Sequence, residues 1–202
     1  MLTLFASLAL LVQDAPQTEP VQDAPDAVEI DADPLAPGFE FQSPEERLAE
    51  RLDALAQASE TEAAALVDEI HALWAHSGSD TVSLLMDRGR GAEVAGNEDI
   101  AARMYDHVTR LAPDYAEGWL AAGRVAAGFE DWSYALETLN QALTIEPRRY
   151  DAYMSVGQVL EAAEAWDAAL DAYNEVLEIY PAFQPAVDAK NRLEAAAAGR
   201  AL

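Results

Sequence analysis

The side chains best suited to bind a metal are His71, His76 and His107. His71 and His76 fall five apart on one predicted helix, so they do not share a face as a zinc pair at i, i+4 would. Acidic residues are many, 37 against 12 basic ones, but they are scattered and mark no paired-carboxylate site. There is no phosphate-cradling glycine loop and no nucleophile elbow. Cysteine is absent, which removes disulfides, thiolate metal sites and a cysteine nucleophile. No cofactor, no metal and no enzymatic activity are therefore expected. Trp74, Trp119, Trp132 and Trp166 are read as core groups rather than ligand-stacking ones. The formal charge of −25 argues against nucleic acid and against an anionic membrane surface. It favours solubility and can steer a basic partner.

What must position any binding residues is a repeat. Gly89, Gly123 and Gly157 recur every 34 residues, as do Ala101, Ala135 and Ala169, and Pro113, Pro147 and Pro181. Such a period marks a stacked-repeat protein, here three units over 82–181 (82–115, 116–149 and 150–183). Each unit holds two helical patterns. The first helices are expected over Val82–Ala95, Ala116–Gly128 and Tyr150–Ala163, and the second over Glu98–Leu111, Trp132–Ile145 and Trp166–Ile179. Asp114 with Glu117 reads as a capping box for the middle unit. Glycine and alanine where the paired helices cross permit close backbone approach. On that argument Gly123→Ala is tolerated and Gly123→Leu forces the pair apart.

Outside the repeats the composition changes. Leu2–Val12 is an apolar run of eleven residues, too short to span a bilayer (about 20) but right for a signal peptide over 1–15. No basic residue precedes it, and Gln13 stands where a small residue is preferred. Cleavage implies a periplasmic or secreted protein with no lasting membrane insertion; an uncleaved N-terminus would instead tether it. Residues 16–42 are acidic and proline-rich and read as a disordered linker. Within it, Phe39-Glu40-Phe41 is either a docking motif or part of a solvated spacer. Ser43-Pro44-Glu45-Glu46 and Ser59-Glu60-Thr61-Glu62 open two helices, a hairpin over 43–78 that leaves the later register. It is expected to cover one apolar end of the stack. A polar closing helix is expected over 184–198.

The repeat resembles the tetratricopeptide repeat (TPR) family, in particular small secreted bacterial members. The pattern falls on Trp119, Ala122-Gly123, Ala126, Ala135, Leu139, Ala142 and Pro147 in the middle unit. In the third it falls on Tyr153, Val156-Gly157, Leu160, Ala169, Tyr173, Val176 and Pro181. In the first it falls on Leu85, Arg88-Gly89, Ala92, Ala101, Tyr105, Val108 and Pro113. Arg88 departs from it, since an apolar residue is usual there, and the mid-helix aromatic site is small in units one and two.

The resemblance implies an all-α, right-handed TPR superhelix (α-solenoid) with an N-terminal helical hairpin and a C-terminal capping helix. It also implies a concave groove that binds a protein or peptide. By register the groove takes Ser83, Met86, Arg90, Glu93, Glu117, Leu120, Arg124, Asp151, Met154, Gln158 and Glu161. Met86, Leu120 and Met154 form an apolar strip, with Arg90, Arg124 and Gln158 as a polar strip beside it. The Lys and Asn that clamp a C-terminal carboxylate in chaperone-binding members are missing at Met86 and Arg90. The two arginines either meet an acidic group of the ligand or pair with Glu93, Glu117 or Glu161. The alternative to peptide binding is an assembly subunit that uses the outer faces of the stack.

Overall fold

The computed structural model describes residues 42–200. The signal-like run, residues 16–41 of the linker and Phe39-Glu40-Phe41 lie outside the described residues. Among those described there are nine α-helices and no strand. The hairpin is α1 (Pro44–Leu55) and α2 (Glu60–Ala75). Three helix pairs follow: α3 (Asp80–Val94) with α4 (Glu98–Leu111), α5 (Ala116–Gly128) with α6 (Trp132–Ile145), and α7 (Tyr150–Ala162) with α8 (Trp166–Ile179). A last helix, α9 (Gln184–Arg200), closes the chain.

The starts of α1 and α2 carry reciprocal caps: the Ser43 and Ser59 amides donate to Glu46 at 2.8 Å and Glu62 at 3.0 Å. The first helices α3, α5 and α7 each end in one turn with a left-handed residue. Gly96, Glu130 and Glu164, in register, sit at φ of 70°, 59° and 59°. The Asp114–Glu117 capping box does not form. Tyr115 is the N-cap of α5, which shifts Glu117 one position, and its carboxylate turns to Arg149.

Within each pair the helices cross at glycine. A Cβ added to Gly89 or Gly157 would lie 2.3 or 2.4 Å from the ring of Tyr105 or Tyr173. At Gly123 it would meet Leu139 Cγ at 2.7 Å and Thr138 Oγ1 at 2.8 Å. The expectation that Gly123→Ala is tolerated therefore fails. Leu139 is fully buried and Thr138 is tied to the Tyr134 carbonyl, so neither can yield easily.

The helix α9 occupies the place of a further first helix. Its buried Ala186, Ala189 and Leu193 stand 34 residues beyond Ala152, Ser155 and Val159, which are buried on α7. The hairpin does not cover the apolar end of the stack as expected. It lies across the row of residues that precede the first helices. Tyr115, Arg149 and Phe183 form that row at the 34-residue step. Leu52, Leu55, Ile70 and Trp74 pack there with Tyr150, Val176, Tyr180 and Ala186. The Tyr115 hydroxyl donates to the Ala75 carbonyl at 2.8 Å, and the Tyr150 hydroxyl lies 2.9 Å from His71 Nε2. At the α3 end of the stack no described element covers the surface: Leu84, Asp87, Arg88 and Gly91 are exposed. Arg88 departs from the repeat pattern because it faces water at a terminal surface.

Candidate functional site: the concave face

Buried Arg149 organises the first turns of α5 and α7. Its guanidinium stacks 4.5 Å from the centre of the Trp74 ring and pairs with Glu117 and, at 3.0 Å, with Asp151. Burial pulls the Arg149 pKa down, but the two carboxylates outweigh it and hold it above its ordinary value. Burial likewise pushes the Asp151 carboxyl up, and Arg149 with Arg124 reverses this and holds it below its ordinary value. The Tyr115 hydroxyl is pushed up to about 12 by burial, with Glu117 adding to the effect. Glu117 and Asp151, expected to face a ligand, are thus spent on the arginine that anchors the hairpin.

The expected apolar strip is also corrected. Met86 is 1% exposed and Leu120 is fully buried. Small residues on the neighbouring helix let it close over them: Met86 packs with Tyr115, Ala121 and Ala122, and Leu120 with Ala152 and Val156. Of the three only Met154, half-buried, reaches the concave surface.

The polar strip is present and longer than expected. Arg90, Arg124, Gln158 and Arg192 recur at 34-residue steps, and all four are exposed. Arg192 lies on α9, beyond the expected units, and so was missed. The arginines do not pair as anticipated. Arg90 donates to Asp87 at 2.8 Å, and Arg124 to Ser155 Oγ at 3.1 Å, with the Asp151 carboxylate 3.7 Å away. Arg192 takes Glu161, which also accepts from the Tyr173 hydroxyl at 2.9 Å. Glu93 stands beside Tyr105 in the same relation, and Ser83 shares a 3.0 Å hydrogen bond with Ser77.

Two hollows open beside this strip. One, of about 320 Å³, is lined by Arg124, Ala127, Trp132, Leu139, Ser155 and Gln158. The other, of about 510 Å³, is lined by Gln158, Glu161, Trp166, Tyr173, Ala189 and Arg192, with Met154 and Pro185 beyond. Six lining residues of each hollow match at the 34-residue step, and Gln158 belongs to both; Val159 in the first and Ala162 in the second have no counterpart. Trp132 and Trp166, half-buried, pack against the core as expected and also line the concave surface. Their spacing of 34 was the signal that could have revealed this. The hollows offer apolar walls, with the guanidinium groups of Arg124 and Arg192 and the amide of Gln158 among their lining. Among the described residues no group of three or more His, Asp or Glu side chains is arranged to hold a metal ion. No described helix is long and apolar enough to cross a membrane.

Helix pairs crossing at glycine and stacked at a fixed step make this an all-α TPR solenoid. The comparisons with known proteins agree on that fold. A TPR repeat-containing protein of Rhizobium etli is 28% identical over 109 residues, 54% of this chain and 53% of that protein. The chain thus matches about half the length of that relative. The first TPR domain of Spaghetti (RPAP3), solved with the HSP90 peptide SRMEEVD, superposes with a TM-score of 0.57 at 20% identity, covering 59% of this chain and 95% of that one. The TPR domain of Arabidopsis OM64 gives 0.55 at 17% identity, over 57% and 95%. MamA gives 0.56 at 17% identity, over 79% and 87%. No family model matches the chain.

Proposed function

We propose that the protein is a non-enzymatic interaction module that binds an extended protein segment along Arg124, Gln158 and Arg192. The observation that carries this is the pair of hollows repeated at the 34-residue step. Neighbouring helices pack about 8–10 Å apart. A polyproline-type strand advances about 9 Å in three residues, so every third side chain can enter a hollow. Arg124 and Arg192 then donate to carbonyls or carboxylates of the segment. The RPAP3 domain carries its HSP90 peptide on the same kind of scaffold, which supports a peptide ligand here. With Met86 buried and Arg90 beside Asp87, those two positions do not supply a lysine–asparagine carboxylate clamp.

The apolar run at Leu2–Val12 supports export, and the bacterial periplasm is the proposed compartment. Fractionation with N-terminal sequencing tests it; an intact N-terminus in the cytoplasm rejects export. The binding reading is tested by a photo-cross-linker at position 158 in the native cell. A discrete adduct lost in the Trp132→Ala/Trp166→Ala variant supports it, and an unchanged adduct rules it out. A second reading, assembly or scaffolding of a cell-envelope complex through the outer faces, is favoured by exposed Leu84 and Leu111. Light scattering distinguishes them: a concentration-independent monomer argues against self-assembly.

A further inference from the structure

A different hollow, of about 300 Å³, lies between the second helices α4 and α6, with α5 as its floor. Ala122 and Ala126 form that floor and Ala102 one wall, while Phe129 and Tyr134 stand at the mouth, 47% and 42% exposed. Ile100, 41% exposed, lines an adjoining hollow that shares Phe129. The space arises from side-chain choice and not from the repeat geometry. One step of 34 residues on, the positions of Ala102, Ala122 and Ala126 hold Leu136, Val156 and Leu160. Those larger side chains pack into the core between the next pair of units. At about 100° per residue, Ala122 and Ala126 face away from Arg124, so this hollow and the concave groove are separate surfaces.

The rim is acidic. Glu98, Asp99 and Asp131 line the two mouths, against Arg103 alone among their lining cations. Asp106 and Glu137 add to the negative field at Tyr134, with Arg110 opposing them. A second copy of this chain, with 37 acidic and 12 basic residues, would bring like charge against like.

We propose that this hollow is a second docking site, which takes one aromatic or leucine side chain of a partner segment flanked by lysine or arginine. The exposed rings supply the apolar anchor, and the rim selects the basic flank. The site stands independently of the concave-groove reading.

The test is a random peptide library displayed on phage, selected on the intact protein and counter-selected on Ala102→Leu/Ala126→Leu. That double variant installs leucine as the next unit has it, and its thermal melt checks folding. Enriched peptides are expected to carry Trp, Phe or Leu between Lys or Arg residues. They should bind the filled variant at least tenfold more weakly, and Phe129→Ser, which changes only the rim, should weaken them too. They should bind Arg124→Glu/Trp132→Ala as they bind the intact protein, so loss of groove binding leaves this result unaffected. Peptides that bind the filled variant equally, an acidic consensus, or no peptide that distinguishes the two proteins would overturn the proposal.

Discussion

The helices α3 and α7 share one register and meet opposite surroundings. On α7, Ala152, Ser155 and Val159 are buried against the preceding unit. Two steps of 34 earlier, α3 presents Leu84, Asp87 and Gly91 to solvent, with Leu84 50% exposed. The first turn of α7 is also where the hairpin is anchored, through Arg149, Tyr150 and Trp74. The hairpin thus leaves the open end to polar substitution and braces the middle of the stack from the side. In stacked repeats the terminal surface is expected to be made soluble by its own residues or covered by a cap. Here Asp87, Arg88 and Gly91 do the first, which frees the hairpin for a second task.

The largest break in this contrast comes at Arg149. Arg149→Ala leaves Glu117 and Asp151 without their buried cation, and removing one partner of a buried pair costs about 3–5 kcal/mol. Urea unfolding is expected to show that loss, together with faster proteolysis at the turn between α1 and α2. A loss under about 1 kcal/mol, the range of exposed pairs, would mean that the hairpin is not held there. Next comes Gly157→Ala. The added methyl meets the Tyr173 ring, whose hydroxyl is held by Glu161, and overpacking of this kind costs about 1–3 kcal/mol. That outweighs a gain of at most about 1 kcal/mol in helix propensity. A variant more stable than the parent would refute the close crossing.

Acid probes the same turn. Because the Asp151 pKa is depressed in the folded state, its contribution is complete above the unfolded value, about 3.9. It is lost as pH falls through the lower folded value. The urea midpoint of the parent should therefore fall more between pH 6 and pH 3 than that of Asp151→Asn. Equal falls would show that the Arg149 pairing does not depend on this carboxylate.

The sequence disclosed what is local and periodic. Ser43 with Glu46 marks a helix start, and Gly123 with Ala135 marks a crossing, because both signals lie within a few turns of chain. The hairpin's seat was hidden because its contacts join residues far apart, such as His71 with Tyr150 and Asp53 with Arg148. Its trace was the row Tyr115, Arg149 and Phe183, which carries no repeat consensus. The groove was legible as a register but not as a surface. Met86 and Leu120 lie on the inward side by spacing, yet alanines on the next helix let it close over them. The arginine strip survived because the long stems of Arg90, Arg124 and Arg192 carry their guanidinium groups out to water, as that of buried Arg149 does not.

The smallest effect tests the open end itself. Gly91 occupies the position held by Val125 and Val159 in the following units, and a Cβ there would meet nothing within 4 Å. An interior helical glycine costs about 0.5–1 kcal/mol relative to alanine when nothing crowds the site. Gly91→Ala is therefore expected to raise stability by about that amount, the reverse of Gly157→Ala in an equally helical setting. Thermal melts of the two variants at one protein concentration check the opposed signs. If Gly91→Ala destabilises instead, and more so as concentration rises, then a second molecule covers the α3 face in solution. The contrast between α3 and α7 would then belong to the isolated chain alone.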